Sequence, residues 1–139
     1  MKVGLVLPLF SGEPERVLAF AERAERLGFD GVFAFDHLFP PGASADRPSL
    51  EAFSMLSAVA ARTERIAVGT LVTRAMLRSA GMIAKLAASV DGVSHGRMIL
   101  AVGTGDPIDE PEHRVFGIPY LDKAERRDHL VESVRAVRA

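Results

Sequence analysis

The sequence predicts an α/β fold built on a parallel sheet, and three observations predict it. Four apolar runs of strand length recur along the 139 residues: Val3–Leu7, Gly31–Phe35, Ile66–Val72 and Met98–Val102. Each is nearly continuous in apolar character instead of alternating with polar residues, as a strand covered on both faces requires. After each run comes a stretch whose apolar residues recur at three- and four-residue steps, the period of a helix.

The elements follow in order. Val3–Leu7 sits in an apolar N-terminus that is too short for a signal-peptide core with a cleavage site, so it reads as a buried strand. The first helix starts at Pro14, repeats apolar residues at Val17, Phe20, Ala21, Ala24 and Leu27, and stops at Gly28. After Gly31–Phe35, a second helix opens near Ser49 and carries Ala52, Leu56, Val59 and Ala60. Ile66–Val72 leads to a third, with Met82, Leu86 and Val90 flanked by Ile83 and Ala87. The fourth begins at Asp122, with Glu125 placed for a capping box, and aligns Leu130, Val131, Val134 and Val137.

The order β-α-β-α-β-α-β-α implies parallel strands joined by crossover helices. Each unit takes roughly 35 residues, close to the ~31 of an eight-unit barrel of ~250 residues. A doubly wound sheet would place a glycine-rich phosphate turn after its first strand, where this chain has Pro8-Leu9-Phe10-Ser11-Gly12. The expected architecture is therefore a parallel (β/α)4 half of a TIM-type barrel, one domain over residues 1–139.

Composition narrows the function classes. Apolar residues at 48% and charged residues at 25% are ordinary for a globular domain. A net charge of −1 offers no basic field for nucleic acid or an anionic membrane. No apolar run approaches the ~18 residues of a membrane span. The absence of cysteine excludes disulfides and thiolate zinc sites and fits a cytoplasmic protein.

In parallel α/β folds the chemistry lies just past the C-terminal ends of the strands. Those ends carry Pro8-Leu9-Phe10, Asp36-His37, Thr70-Leu71-Val72-Thr73 and Gly103-Thr104-Gly105-Asp106. His37 can exchange protons near neutral pH beside the Asp36 carboxylate. The plainer alternative is a histidine capping the next loop, with Asp36 bonded to backbone amides, since adjacent strand residues face opposite ways. Gly103–Asp106 permits close backbone approach to a flat or polar ligand, or simply turns the chain. Thr70 and Thr73 are also plain strand formers. His95 and His113 fall in loop-like stretches and His129 on a charged helix face; none has ligand spacing, and no metal site is expected. Arg126-Arg127 and Arg135 to Arg138 read as a solvated face or as partners of the helix-end dipole. The Phe39–Pro48 loop, with three prolines and a glycine, is either a lid or a rigid connection.

An ordered series of segments resembles the luciferase-like monooxygenases, which include the coenzyme F420-dependent oxidoreductases. It runs through Leu27-Gly28-Phe29-Asp30-Gly31-Val32 with Asp36-His37, then Ala60 to Ile66 with Gly69 to Thr73. It continues through Ala84 to Asp91 with Ser94-His95-Gly96-Arg97, and ends in Phe116-Gly117-Ile118-Pro119 and Glu132. The resemblance implies a catalytic role in proton transfer for His37 and a cofactor site lined by Asp36, Thr70, Leu71, Val72, Thr104, Gly105 and Asp106. It implies a non-proline cis peptide at Leu71-Val72. The cofactor implied is F420, with FMN as the alternative, and the partner a small organic substrate. Two departures stand out: Asp106 replaces the glutamate of the family's sugar dehydrogenases, and His95 replaces a usual glycine.

The family is an eight-unit barrel, and four units leave two sheet edges and an apolar inner face open. Self-association, as a homodimer or larger assembly, is the expected remedy, beside a partner chain or a longer parent protein. Two functions therefore stay open: an oxidoreductase using F420 or reduced FMN for hydride transfer or monooxygenation of a small organic substrate, and a non-catalytic half-barrel serving as a binding or assembly module. A phosphate-handling lyase or isomerase would need a lysine or glutamate at a strand end, where Lys85 and Lys123 instead fall on helices.

Overall fold

The structure is a computed structural model describing residues 1–139. The chain opens with β1 (Gly4–Val6), a single turn of 3-10 helix at Leu9–Ser11 and α1 (Pro14–Arg26). Proline occupies the start of α1, where its missing N–H is not needed. The helix buries Val17, Leu18, Ala21 and Ala24; of the face its spacing predicts, Phe20 is half-buried and Leu27 is exposed. Gly28, at φ 83°, carries the chain out into β2 (Gly31–Ala34). Then α2 (Ala52–Arg62) begins slightly later than its apolar pattern suggests, because Glu51 is its cap. That carboxylate accepts the N–H groups of Phe53 and Ser54.

The next two predicted strands are each broken in two. Ile66–Val72 becomes β3 (Ala67–Thr70) and β4 (Thr73–Arg74). After α3 (Ala80–Ser94), Met98–Val102 becomes β5 (Met98–Ile99) and β6 (Val102–Gly103). The reason lies in two places. The Leu71–Val72 peptide is cis, as the resemblance implied. Opposite it, the Thr70 hydroxyl inserts into the ladder: it donates to the Ala101 carbonyl at 2.8 Å and accepts from the Ala101 N–H at 3.1 Å. Backbone pairing resumes when the Thr73 N–H reaches the same carbonyl.

The main sheet has the order β1-β2-β3-β5, all parallel, and β4 and β6 pair in parallel beyond the break. This is the parallel (β/α)4 half-barrel that the sequence predicts. One face of the sheet packs on α1, α2 and α3 through a core that includes Val32, Leu56, Val59 and Val68, all fully buried. Burying each such side chain contributes about 1.5–3 kcal/mol. On the other face, the Phe33 ring lies across Gly4, Gly31 and Gly69. A Cβ at any of these would come within 2.5 to 3.0 Å of ring atoms, so glycine is what lets one phenyl ring fill the lower half of the concave side.

Two devices lock the N-terminal ends of the strands. Glu25 accepts three consecutive N–H groups, from Glu64, Arg65 and Ile66, on one oxygen. Arg97 donates to the carbonyls of Ser94, Ile66, Ala60 and Thr63 and to the Thr63 hydroxyl. It thereby closes the free carbonyls at the end of α2. His95 takes the left-handed conformation at φ 55° as the C-cap of α3, a conformation that favours glycine, the residue the resemblance implies there.

Two expectations need correction. The stretch after β6 is not plain loop: α4 (Glu110–Val115) forms there, and His113 is buried on it with Nδ1 bonded to the Pro119 carbonyl. The last helix, α5 (Lys123–Arg138), has the predicted capping box, but Arg126 does not lie on a solvated face. It is 7% exposed and stacks on the Tyr120 ring at 4.9 Å, because α5 lies against the 3-10 turn that follows β4. No helix is long and apolar enough to cross a membrane.

Candidate functional site

The strand ends converge on a cavity of about 550 Å³, within the range of small-molecule sites. Phe10 and Phe35 form one side, and Leu71, Val72 and Ile108 supply the apolar remainder. Leu71 and Val72, on the two sides of the cis bond, expose 47% and 36% of their surface. Their position follows from the strand break: a regular strand would have kept one of them on the helix side. Gly103 makes room for Val72, since a Cβ there would fall 2.5 Å from the Val72 Cγ2 atom. Gly105, at φ 76°, turns the chain along the cavity wall.

The polar side is a network of buried charge. Asp36 is 2% exposed and receives Arg78 in two-pronged fashion, at 2.7 and 3.1 Å. Arg78 also reaches Glu51 at 2.6 Å and lies over the Phe53 ring at 5.2 Å. Beside this pair, the Arg74 Nε atom donates to the Asp36 carbonyl at 2.8 Å. Arg74 Nη2 donates to Glu112, and Nη1 lies 3.3 Å from Asp109. His37 completes the cluster with Nδ1 at 2.7 Å from Glu112 Oε1 and 3.7 Å from Asp109. The rings of Phe10 and Phe35 meet the His37 imidazole edge-on, at 6.2 and 6.5 Å.

These surroundings set the titration of the acids. Burial pushes the Asp36 carboxyl up, and the Arg78 pair only partly offsets it. Burial also works on Glu112, but the His37, Leu38 and Arg74 bonds outweigh it and hold that carboxyl below its ordinary value. Glu51 is lowered in the same way, its desolvation outweighed by its bonds to Ser54 and Phe53 and by Arg78.

Most of the residues singled out from sequence meet here. Asp36, His37, Leu71, Val72, Thr104, Gly105 and Asp106 all line the cavity. Thr70 does not: it is fully buried, and its hydroxyl is spent on Ala101. Asp106 contributes a rim position, but its exposed carboxylate caps the turn at Ile108 instead of projecting as a free acid. The carboxylate that meets His37 is Glu112 and not the expected Asp36, which bonds Arg78 and, as the plainer alternative expects, a backbone amide, the Arg74 N–H at 3.4 Å. The Phe39–Pro48 loop sends Pro41 to the cavity and buries Phe39.

Sequence reasoning missed Arg74, Arg78, Asp109 and Glu112. Prolines at 107 and 111 among acids are helix-start signals that mark α4. Nothing local pairs Glu112 with residues 38 or more positions away. Ligand atoms of His37, Asp109 and Glu112 lie within 4.8 Å of one another. The Arg74 guanidinium lies between both acids, bonded to Glu112 and ion-paired with Asp109, while Arg74 Nη1 and Asp109 Oδ1 are buried without a hydrogen-bond partner.

A model of luciferase-like monooxygenases matches residues 1–139. The chain belongs to this family. It is 33% identical over 139 residues to an F420-dependent glucose-6-phosphate dehydrogenase of Intrasporangium calvum, covering 99% of this chain and 41% of the relative. It is also 33% identical to an F420-dependent hydroxymycolic acid dehydrogenase of Mycobacterium tuberculosis, covering 98% and 37%. An F420-dependent secondary alcohol dehydrogenase, solved with an F420-acetone adduct, superposes with a TM-score of 0.86 at 28% identity, over 99% of this chain and 41% of that one. The chain thus spans about two fifths of the length of these family members.

Arg74 yields a stability test. Arg74→Met leaves Asp109 and Glu112 buried without their cation, which costs about 3–5 kcal/mol at neutral pH. Glu112 sits below its ordinary value of 4.5, so its contribution is present above that value and is lost as pH falls through the lower folded one. Urea unfolding should therefore show a variant deficit that is largest near pH 7 and shrinks below about pH 4.5. A deficit independent of pH would contradict the assignment.

Proposed function

We propose that this chain carries the cofactor-facing half of an oxidoreductase that uses the deazaflavin F420 to move a hydride to or from a small organic substrate. The observation that supports it most is the pairing, across one cavity, of an exposed apolar wall at Leu71 and Val72 with His37 seated on a buried carboxylate. The F420-dependent relatives point the same way. A flat ring system fits a wall of this kind: Leu71 and Val72 cover one face, and Gly103 leaves the space that the Val72 side chain occupies there. Bound F420 supplies a two-electron hydride acceptor or donor. The protein's own part is to orient that ring, to exclude water with Phe10 and Phe35, and to take or give the hydroxyl proton at His37 as the C–H bond is broken or made.

The test is a fluorescence titration of the 139-residue protein with F420 and, separately, FMN, followed by turnover assays. F420 should bind saturably and more tightly than FMN. His37→Ala should keep that binding while lowering turnover by about 10²-fold or more. Tighter FMN binding would reassign the cofactor, and binding with no turnover under any reductant would favour the non-catalytic module. That second reading draws on the share of the relatives' length that this chain spans.

The same proposal pairs the open sheet with a second copy of the chain. β1 and β5 are unpaired edges, and Val3, Val6 and Ile99 lie exposed along them. Light scattering should show an assembly that dissociates on dilution; a monomer at every concentration would refute the pairing.

A further inference from the structure

We propose that Glu112 is a positioning residue for His37: it holds the imidazole in the tautomer protonated on Nδ1 and turns Nε2, bare, toward the cavity. The Glu112 side chain is almost fully buried, and both of its oxygens are committed. Oε1 lies 2.7 Å from His37 Nδ1. Oε2 accepts the Leu38 N–H at 2.6 Å and also the Arg74 Nη2 donor. An ionised carboxylate only accepts hydrogen bonds, so the nitrogen facing it must carry the proton. The bonds to Leu38 and Arg74 also fix the plane of the carboxylate, leaving a single direction for the imidazole to meet it.

The helix that brings Glu112 is itself pinned on both sides. Before it, Asp109 accepts the Asp106 N–H at 2.7 Å; after it, His113 Nδ1 bonds the Pro119 carbonyl at 2.9 Å. Glu112 therefore cannot follow a drifting ring, and His37 must come to it. The titratable and charged groups around the imidazole are Glu112, Asp109 at 3.7 Å and, through those two acids, Arg74. One cation against two carboxylates leaves this corner one negative charge in excess while His37 is neutral. A proton arriving at Nε2 is balanced by that excess, and it moves from the substrate oxygen to the ring with no further group required.

The tautomer follows from geometry alone, whereas the share of Glu112 in proton transfer rests on the F420 reading above. Long-range 1H–15N correlation spectra of the uniformly labelled protein read the tautomer directly. His37 should appear with a protonated Nδ1 and an unprotonated Nε2, and Glu112→Ala should lose that signature to a mixture or to the Nε2-protonated form. An Nε2-protonated His37 in the unaltered protein overturns the inference, whatever cofactor binds. This measurement needs no turnover, so a failure of the F420 reading does not touch it. Where turnover is present, Glu112→Gln should lower kcat by about ten-fold or more and displace the pH profile, with KM and F420 affinity changed less than about two-fold. An unchanged kcat and pH profile would overturn the role in catalysis.

Discussion

A single guanidinium holds the candidate site together. Arg74 leaves the short strand β4, bonds the Asp36 carbonyl at the end of β2 and Glu112 on α4, and forms an ion pair with Asp109 in the turn after β6. Three segments distant in sequence are thereby tied to one side chain that is only 3% exposed. Its counter-ions matter as much as its own bonds. Buried acids without a cation would be forced to protonate or to move, and His37 would lose the carboxylate it rests on. Arg78 repeats the pattern one turn further along, joining Asp36 to the Glu51 cap of α2.

The site also depends on a deliberate interruption of the sheet. Below the break, Phe33 lies over Gly4, Gly31 and Gly69 and occupies the concave side. At the break, the Thr70 hydroxyl stands in for a ladder bond to Ala101, and the chain turns Leu71 and Val72 toward the open cavity. Above it, β4 and β6 pair again and present Arg74 and Gly103 at matching register. One sheet thus supplies both a packed base and a shaped rim, as expected where function gathers at the C-terminal strand ends.

Much of the fold was legible because its signals are local. Continuous apolar runs mark the strands, although the edge strands β1 and β5 leave Val6 and Ile99 exposed and are not covered on both faces, and the Pro14, Gly28 and Asp122–Glu125 signals bound helices whatever lies around them. The strand breaks are not legible in the local pattern, since Ile66–Val72 remains apolar throughout; only the family resemblance points to the cis bond at Leu71–Val72, and only the partner strand shows that pairing has stopped. The site divided along the same line. Asp36 and His37 are legible because they follow a strand directly, and Leu71 and Val72 only through the family resemblance. Glu112, Arg74 and Arg78 are not, because their meaning lies in partners tens of residues away. Arg126 misled for a related reason: its neighbours in sequence are charged, while its neighbour in space is Tyr120. The resemblance implies Thr70 as a cofactor contact, whereas its hydroxyl is required by the backbone at Ala101, in keeping with the plain strand former its local pattern suggests.

The central claim is that a flat cofactor ring lies against Leu71 and Val72, facing His37. Methyl-resolved 1H–13C spectra of the protein, recorded as F420 is added, test it most directly. Ring-current shifts should concentrate on the methyls of Leu71, Val72 and Ile108, which line the cavity, and spare those of Val93 and Val115 on the outer surface. Shifts spread over the outer methyls, with Leu71 and Val72 unmoved under saturating F420, would contradict it.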